Sequence, residues 1–128
     1  MVQKITEGIE VSVRTLYRVR HSKPEACYYL FSYFIQIKNT TFEPVQLLRR
    51  HWIILDADGE QSEVEGPGVI GEQPVIMPGD TFSYESACCF KYPLGKMQGK
   101  YLFENINNRM SFFVDIPDFV MEAPQLMN

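Results

Sequence analysis

The chain has 128 residues, of which 45% are hydrophobic and 22% charged, and it carries a formal net charge of −4. That length and balance suit one folded domain over residues 1–128, large enough to bury a core without disulfide or metal staples. The acidic surplus excludes general affinity for nucleic acid or anionic membrane, and no apolar run approaches the ~20 residues that span a bilayer.

Met1 to Glu10 alternates polar and apolar residues, so no secretory apolar region opens the chain. Ile9, Val11 and Val13 alternate with Glu10, Ser12 and Arg14, the period of a half-buried strand. Residues 27 to 39 give the strongest strand, with Tyr29, Phe31, Tyr33, Ile35 and Ile37 on one face and Leu30 and Phe34 on the other. Val45 to Asp56 is the next strand, and its parity breaks around Arg49-Arg50, which predicts a bulge. Asp56-Ala57-Asp58-Gly59 reads as a hairpin turn, and Gln61 to Glu65 returns from it. Further strands are expected over Asp80 to Phe90, Lys100 to Glu104 and Met110 to Ile116, with a last short segment at Asp118 to Glu122. Pro117 lacks a backbone donor, which suggests an edge position. Seven to eight short antiparallel strands without a helical segment predict an all-β sandwich.

Gly66, Gly68 and Gly71 have the spacing of a dinucleotide-phosphate loop. That loop works by setting the pyrophosphate at a helix N-terminus, and here Pro74 and Pro78 follow where the helix would begin. The glycines therefore read first as a connection between sheets, with a phosphate cradle at Gly66, Gly68 and Gly71 as the alternative. Neither His21 nor His51 has a second ligand at metal-binding spacing, and Asp56 and Asp58 lack the rest of a calcium loop. Cys27, Cys88 and Cys89 are an odd number, and adjacent strand cysteines point to opposite faces. A reduced, cytoplasmic protein follows. No nucleophile elbow, phosphate-binding loop with its lysine, or metalloprotease helix occurs, so neither a catalytic residue, a metal nor a cofactor is expected. The surfaces singled out for binding are Leu30 and Phe34 on the second face of their strand, and the edge run carrying Pro117 and Phe119. Their occupant would be an unidentified protein partner or a second copy of the chain, as a homodimer.

Several segments together resemble the bacterial ApaG family. They are Leu47-Leu48-Arg49-Arg50-His51-Trp52-Ile53-Ile54 with Asp56-Ala57-Asp58-Gly59, and Val64-Glu65-Gly66-Pro67-Gly68-Val69-Ile70-Gly71-Glu72-Gln73-Pro74. Pro78-Gly79, Phe82-Ser83-Tyr84, Gly95-Lys96-Met97-Gln98-Gly99-Lys100-Tyr101 and Phe113-Val114-Asp115-Ile116-Pro117 with Phe119 continue the match. The chain departs from the family pattern at Ser86-Ala87-Cys88-Cys89-Phe90, at Asn105-Ile106-Asn107-Asn108-Arg109 and at Pro67 inside the glycine loop. The resemblance implies an immunoglobulin- or fibronectin-III-like sandwich and a non-catalytic role in protein interaction. It also implies a link to cobalt resistance and magnesium efflux through unknown partners, and it marks Gly66, Gly68 and Gly71 as the residues of a pyrophosphate site.

Overall fold

Strict alternation of apolar and polar residues gives each strand one face to bury, and two such sheets bury each other. The computed structural model describes residues 1–124. Its strands are β1 (Val2–Thr6), β2 (Ile9–Tyr17), β3 (Tyr29–Asn39), β4 (Val45–Asp56), β5 (Gln61–Pro67), β6 (Val75–Ile76), β7 (Thr81–Phe90), β8 (Leu94–Asn105) and β9 (Ser111–Glu122). One sheet runs β1-β2-β3-β7, the other β5-β4-β8-β9, with β6 paired to β4 beyond the end of β5. All pairings are antiparallel. The second order follows the C′-C-F-G arrangement of an immunoglobulin-type sheet.

The all-β sandwich expected from the sequence is therefore present, with nine strands where seven to eight were expected. Two short strands were missed, β1 and the two-residue β6. The segments expected on either side of Pro117 are one continuous β9. Pro117 interrupts neither the strand nor its pairing, because it lies in a bulge. Met97 faces Phe119 and Gly99 faces Ile116, so Pro117 and Asp118 together oppose Gln98, and the missing N–H falls where the ladder skips. A second bulge lies between Leu47 and Arg49, beside the predicted parity break.

The core is the inner face of both sheets. Ile9, Val11 and Val13 of β2 and Phe31, Ile35 and Ile37 of β3 meet Leu47, Trp52, Tyr101, Phe103, Val114 and Met121 from the other sheet. Each such side chain contributes about 1.5–3 kcal/mol by leaving water. Trp52 centres an aromatic cluster, with ring centroids of Tyr33, Phe119 and Tyr101 at 5.6, 5.9 and 6.5 Å. On one flank β1 closes against β9. The backbone N–H of Asp115 donates to Thr6 Oγ1 at 3.2 Å, and Lys4 Nζ lies 3.0 Å from Asp115 Oδ2. The opposite flank, between β5 and β7, stays open.

Candidate functional site

Gly66 lies in β5 opposite Arg50, whereas Gly68 and Gly71 build the turn that follows. Val69 and Glu72 exchange both backbone hydrogen bonds, at 2.8 and 2.9 Å, around Ile70 (φ 44) and Gly71 (φ 78). Two consecutive positive φ angles make this a tight hairpin of the I′ kind. Gly68 (φ 62) sits so close to the returning strand that a Cβ would lie 2.1 Å from Glu72 O. The N–H groups of Gly68, Val69 and Glu72 are already donated, to Leu48 O, Glu72 O and Val69 O, and Pro67 has none. Behind Gly71 the chain runs through Pro74 into β6, with no helix between them. The three glycines are thus brought together by chain geometry, with the Gly68, Val69 and Glu72 donors committed to backbone carbonyls.

Arg50 fastens this turn from the side. Its Nη1 donates to Pro67 O at 3.0 Å and to Gly68 O at 3.1 Å. Beyond it opens the flank between the sheets, a cleft of about 310 Å³ reaching inward to Tyr33, Trp52, Tyr84 and Met97. At its floor the hydroxyls of Tyr84 and Tyr101 are 2.6 Å apart. Burial pushes the Tyr84 and Tyr101 hydroxyls well above the ordinary tyrosine range, and Tyr33 is raised by the same cause. Cys88 also lines the cleft, and burial holds its thiol up at about 12, with the neighbouring Cys89 adding to the shift. A thiol so protonated is a poor nucleophile. Cys89 faces the other way and is exposed.

Sequence reasoning singled out four side chains as binding surface, and the fold separates them. Phe34 is half-buried on the outer face of the four-stranded sheet, under the Arg14 guanidinium at 4.3 Å from its ring centroid. Leu30, also half-buried, lies opposite Cys89, and its N–H and C=O are held by Ser22 and Arg18 of the preceding loop. Pro117 is buried, and Phe119, 4% exposed, belongs to the Trp52 cluster. These two side chains point into the sandwich, because the bulge restores the inward parity of the strand's end. The adjoining edge at Asp115 is capped by Thr6, so strand addition finds neither a free donor there nor one at Pro117.

The apolar surface missed by that reasoning is the outer face of the five-stranded sheet. Phe113, 56% exposed, stands beside Leu102, and Lys100 Nζ lies 4.5 Å from the centre of its ring. Arg49 and His51 extend the row from β4, answered across the ladder by Glu65 and Glu63 at 3.3 Å each. Two shallow depressions on this face, of about 320 and 380 Å³, share His51 and Lys100. The signal was present in the alternation of Leu102, Phe113 and Lys100, but assigning a face required the register.

At the hairpin after β4, Asp56 and Asp58 accept backbone N–H groups of Ala57, Lys91 and Glu60 at 2.8–3.0 Å. No group of three or more His, Cys, Asp or Glu could jointly hold a metal among the described residues.

A sequence model described as the ApaG domain matches residues 19–105. A protein named ApaG from Brucella anthropi is 45% identical over 98% of this chain and 95% of its own length. One from Vibrio vulnificus is 42% identical over 94% of both chains. The crystal structure of a putative ApaA protein from Bordetella pertussis superimposes with a TM-score of 0.88 at 39% identity, covering 92% of this chain and 95% of that one. The likeness in sequence and in the two-sheet scaffold runs along almost the whole chain: the chain belongs to the ApaG family.

Proposed function

We propose that this protein is a non-catalytic interaction module whose recognition surface is the outer face of the five-stranded sheet. The observation that carries the reading is Phe113, an aromatic ring left more than half exposed beside Leu102 and Lys100 on the edge strand β9. A large ring more than half in water contributes to the fold only part of what a buried one would, and an aromatic with a cationic border is what protein interfaces favour. The partner is a protein of the cytoplasm, and through it the module bears on cobalt tolerance and magnesium efflux, as the family link implies. Phe113→Asp combined with Lys100→Glu is expected to cost about 1–2 kcal/mol and to leave the protein folded, since both side chains are exposed and the loss is limited to strand propensity and cross-strand pairs. In a strain lacking the gene, the wild-type copy should restore growth on cobalt and the double variant should not. Full complementation by the variant, at equal protein level, would remove this face from the function.

Nucleotide or pyrophosphate binding at Gly66, Gly68 and Gly71, with or without hydrolysis, is the weaker reading. It has the glycine spacing in its favour, and against it stand the Gly68, Val69 and Glu72 donors already given to backbone carbonyls and the donor that Pro67 lacks.

A further inference from the structure

The open flank between β5 and β7 holds a charge that nothing beside it balances. Arg50 is half-buried there, and among the described residues no carboxylate lies within ion-pair distance of it. Its contacts are the two carbonyl oxygens of Pro67 and Gly68, both through Nη1, which leaves Nη2 and Nε unengaged. Carbonyls orient a guanidinium without neutralising it, and a charge set partly out of water attracts a counter-ion more strongly than one on the open surface.

The wall opposite supplies hydroxyls. Tyr101 is fully buried, and among the described residues its hydrogen-bond partner is Tyr84; either hydroxyl could donate, and donation by Tyr101 is the arrangement that leaves no proton in the core without an acceptor. Tyr84, 8% exposed and lining the cleft, then retains its own O–H for whatever occupies that space. Tyr33 and Ser86 line the same wall. Arg50 lines this cleft together with Tyr33 and Tyr84, so the cation and the hydroxyl-bearing rings border one volume. The rest of the lining is apolar, chiefly Trp52, Val69 and Met97.

We propose that this cleft binds a small carboxylate with an apolar body, its carboxylate held between Arg50 and the Tyr84 hydroxyl and its hydrocarbon against Trp52, Val69 and Met97. One cation calls for one negative charge. A volume of about 310 Å³ lies at the lower limit of small-molecule sites, enough for a short acyl chain. The site stands apart from the Phe113 face, which is on the other side of the five-stranded sheet. Two sources present this chemistry, a free short-chain carboxylic acid and the C-terminal carboxylate of a peptide ending in an apolar residue.

The test is a titration of the uniformly ¹⁵N-labelled protein, followed by amide shifts, with hexanoate, hexanamide, inorganic pyrophosphate, and a tripeptide ending in leucine as free acid and as amide. Hexanoate or the free-acid peptide should saturably shift Gly68, Val69, Ser86 and Cys88, and the tighter of the two identifies the source. The matching amide should bind about tenfold more weakly, the loss expected for one charge-assisted hydrogen bond. Tyr84→Phe should weaken the acid about fivefold or more. Arg50→Gln should abolish binding, while Arg50→Lys, which loosens the hairpin equally but keeps the charge, should retain part of it. Equal binding of acid and amide, an unshifted cleft, Arg50→Lys and Arg50→Gln binding alike, or saturation by pyrophosphate alone would each overturn the proposal.

Discussion

Gly68 and Gly71 share a conformation and differ in what surrounds them, which makes their roles separable. Both have φ near +70, a region that costs an L-residue about 1–2 kcal/mol. A Cβ at Gly71 would meet nothing within 4 Å, whereas one at Gly68 would strike the Glu72 carbonyl. Gly71→Ala should therefore cost about 1 kcal/mol, and Gly68→Ala roughly 3 kcal/mol once the displaced returning strand is included. Urea denaturation of the two variants measures the difference, and equal losses would mean that the Gly68–Glu72 approach is soft. Pyrophosphate affinity offers an independent readout, because a phosphate cradle would make both variants binding-deficient regardless of stability.

At the level of elements, Asn39 shows how a two-residue strand is kept in place. It ends β3, is 0% exposed, and satisfies its whole amide: Nδ2 donates to Glu43 O at 2.7 Å and Ile76 O at 2.9 Å, and Oδ1 accepts from the N–H and Oγ1 of Thr41. Its backbone also holds Gly79 and Asp80, so a residue of one sheet ties down β6, which pairs with the other. Asn39→Ala strands the Ile76 carbonyl and the Thr41 donors and should cost about 2–4 kcal/mol. Hydrogen exchange should accelerate at residues 75–80 first, and uniform acceleration would deny the local role. This arrangement was not legible in the sequence, where Asn39-Thr40-Thr41 signalled only a turn. The long strands were legible because Phe31, Tyr33, Ile35 and Ile37 write period two without interruption. The first half of β8 was not, since Gly95 and Gly99 carry no strand signal. They are needed because the Phe90 ring and the His51 carbonyl lie where their Cβ atoms would be, a reason that exists only after folding. For the same reason Phe119 looked like surface: its inward direction depends on the bulge at Pro117-Asp118.

Across the molecule, the buried hydroxyls and thiol couple folding to alkaline pH. Tyr33, Tyr84, Tyr101 and Cys88 are all raised, and in every case burial, which penalises the anion, is the largest cause. Below the ordinary range of these groups, 9.0 for the thiol and 10.0 for the phenols, folded and unfolded chains hold the same protons, and they add no pH dependence. Above it the unfolded chain releases protons that the folded one keeps. The folded state then binds more protons, and stability falls as pH rises, by up to about 1.4 kcal/mol per unit for each fully titrating group. The two wholly or nearly buried tyrosines alone would remove about 3 kcal/mol per unit, against a typical total of about 5–15 kcal/mol. These groups should thus leave the urea midpoint flat from pH 7 to 9 and lower it steeply beyond 10. Tyrosinate absorbance supplies the check, because three of the seven tyrosines should ionise only as the near-ultraviolet circular dichroism collapses. Ionisation of all seven with that dichroism intact would show the aromatic floor of the cleft to be open to water, and would weaken the carboxylate site built on it.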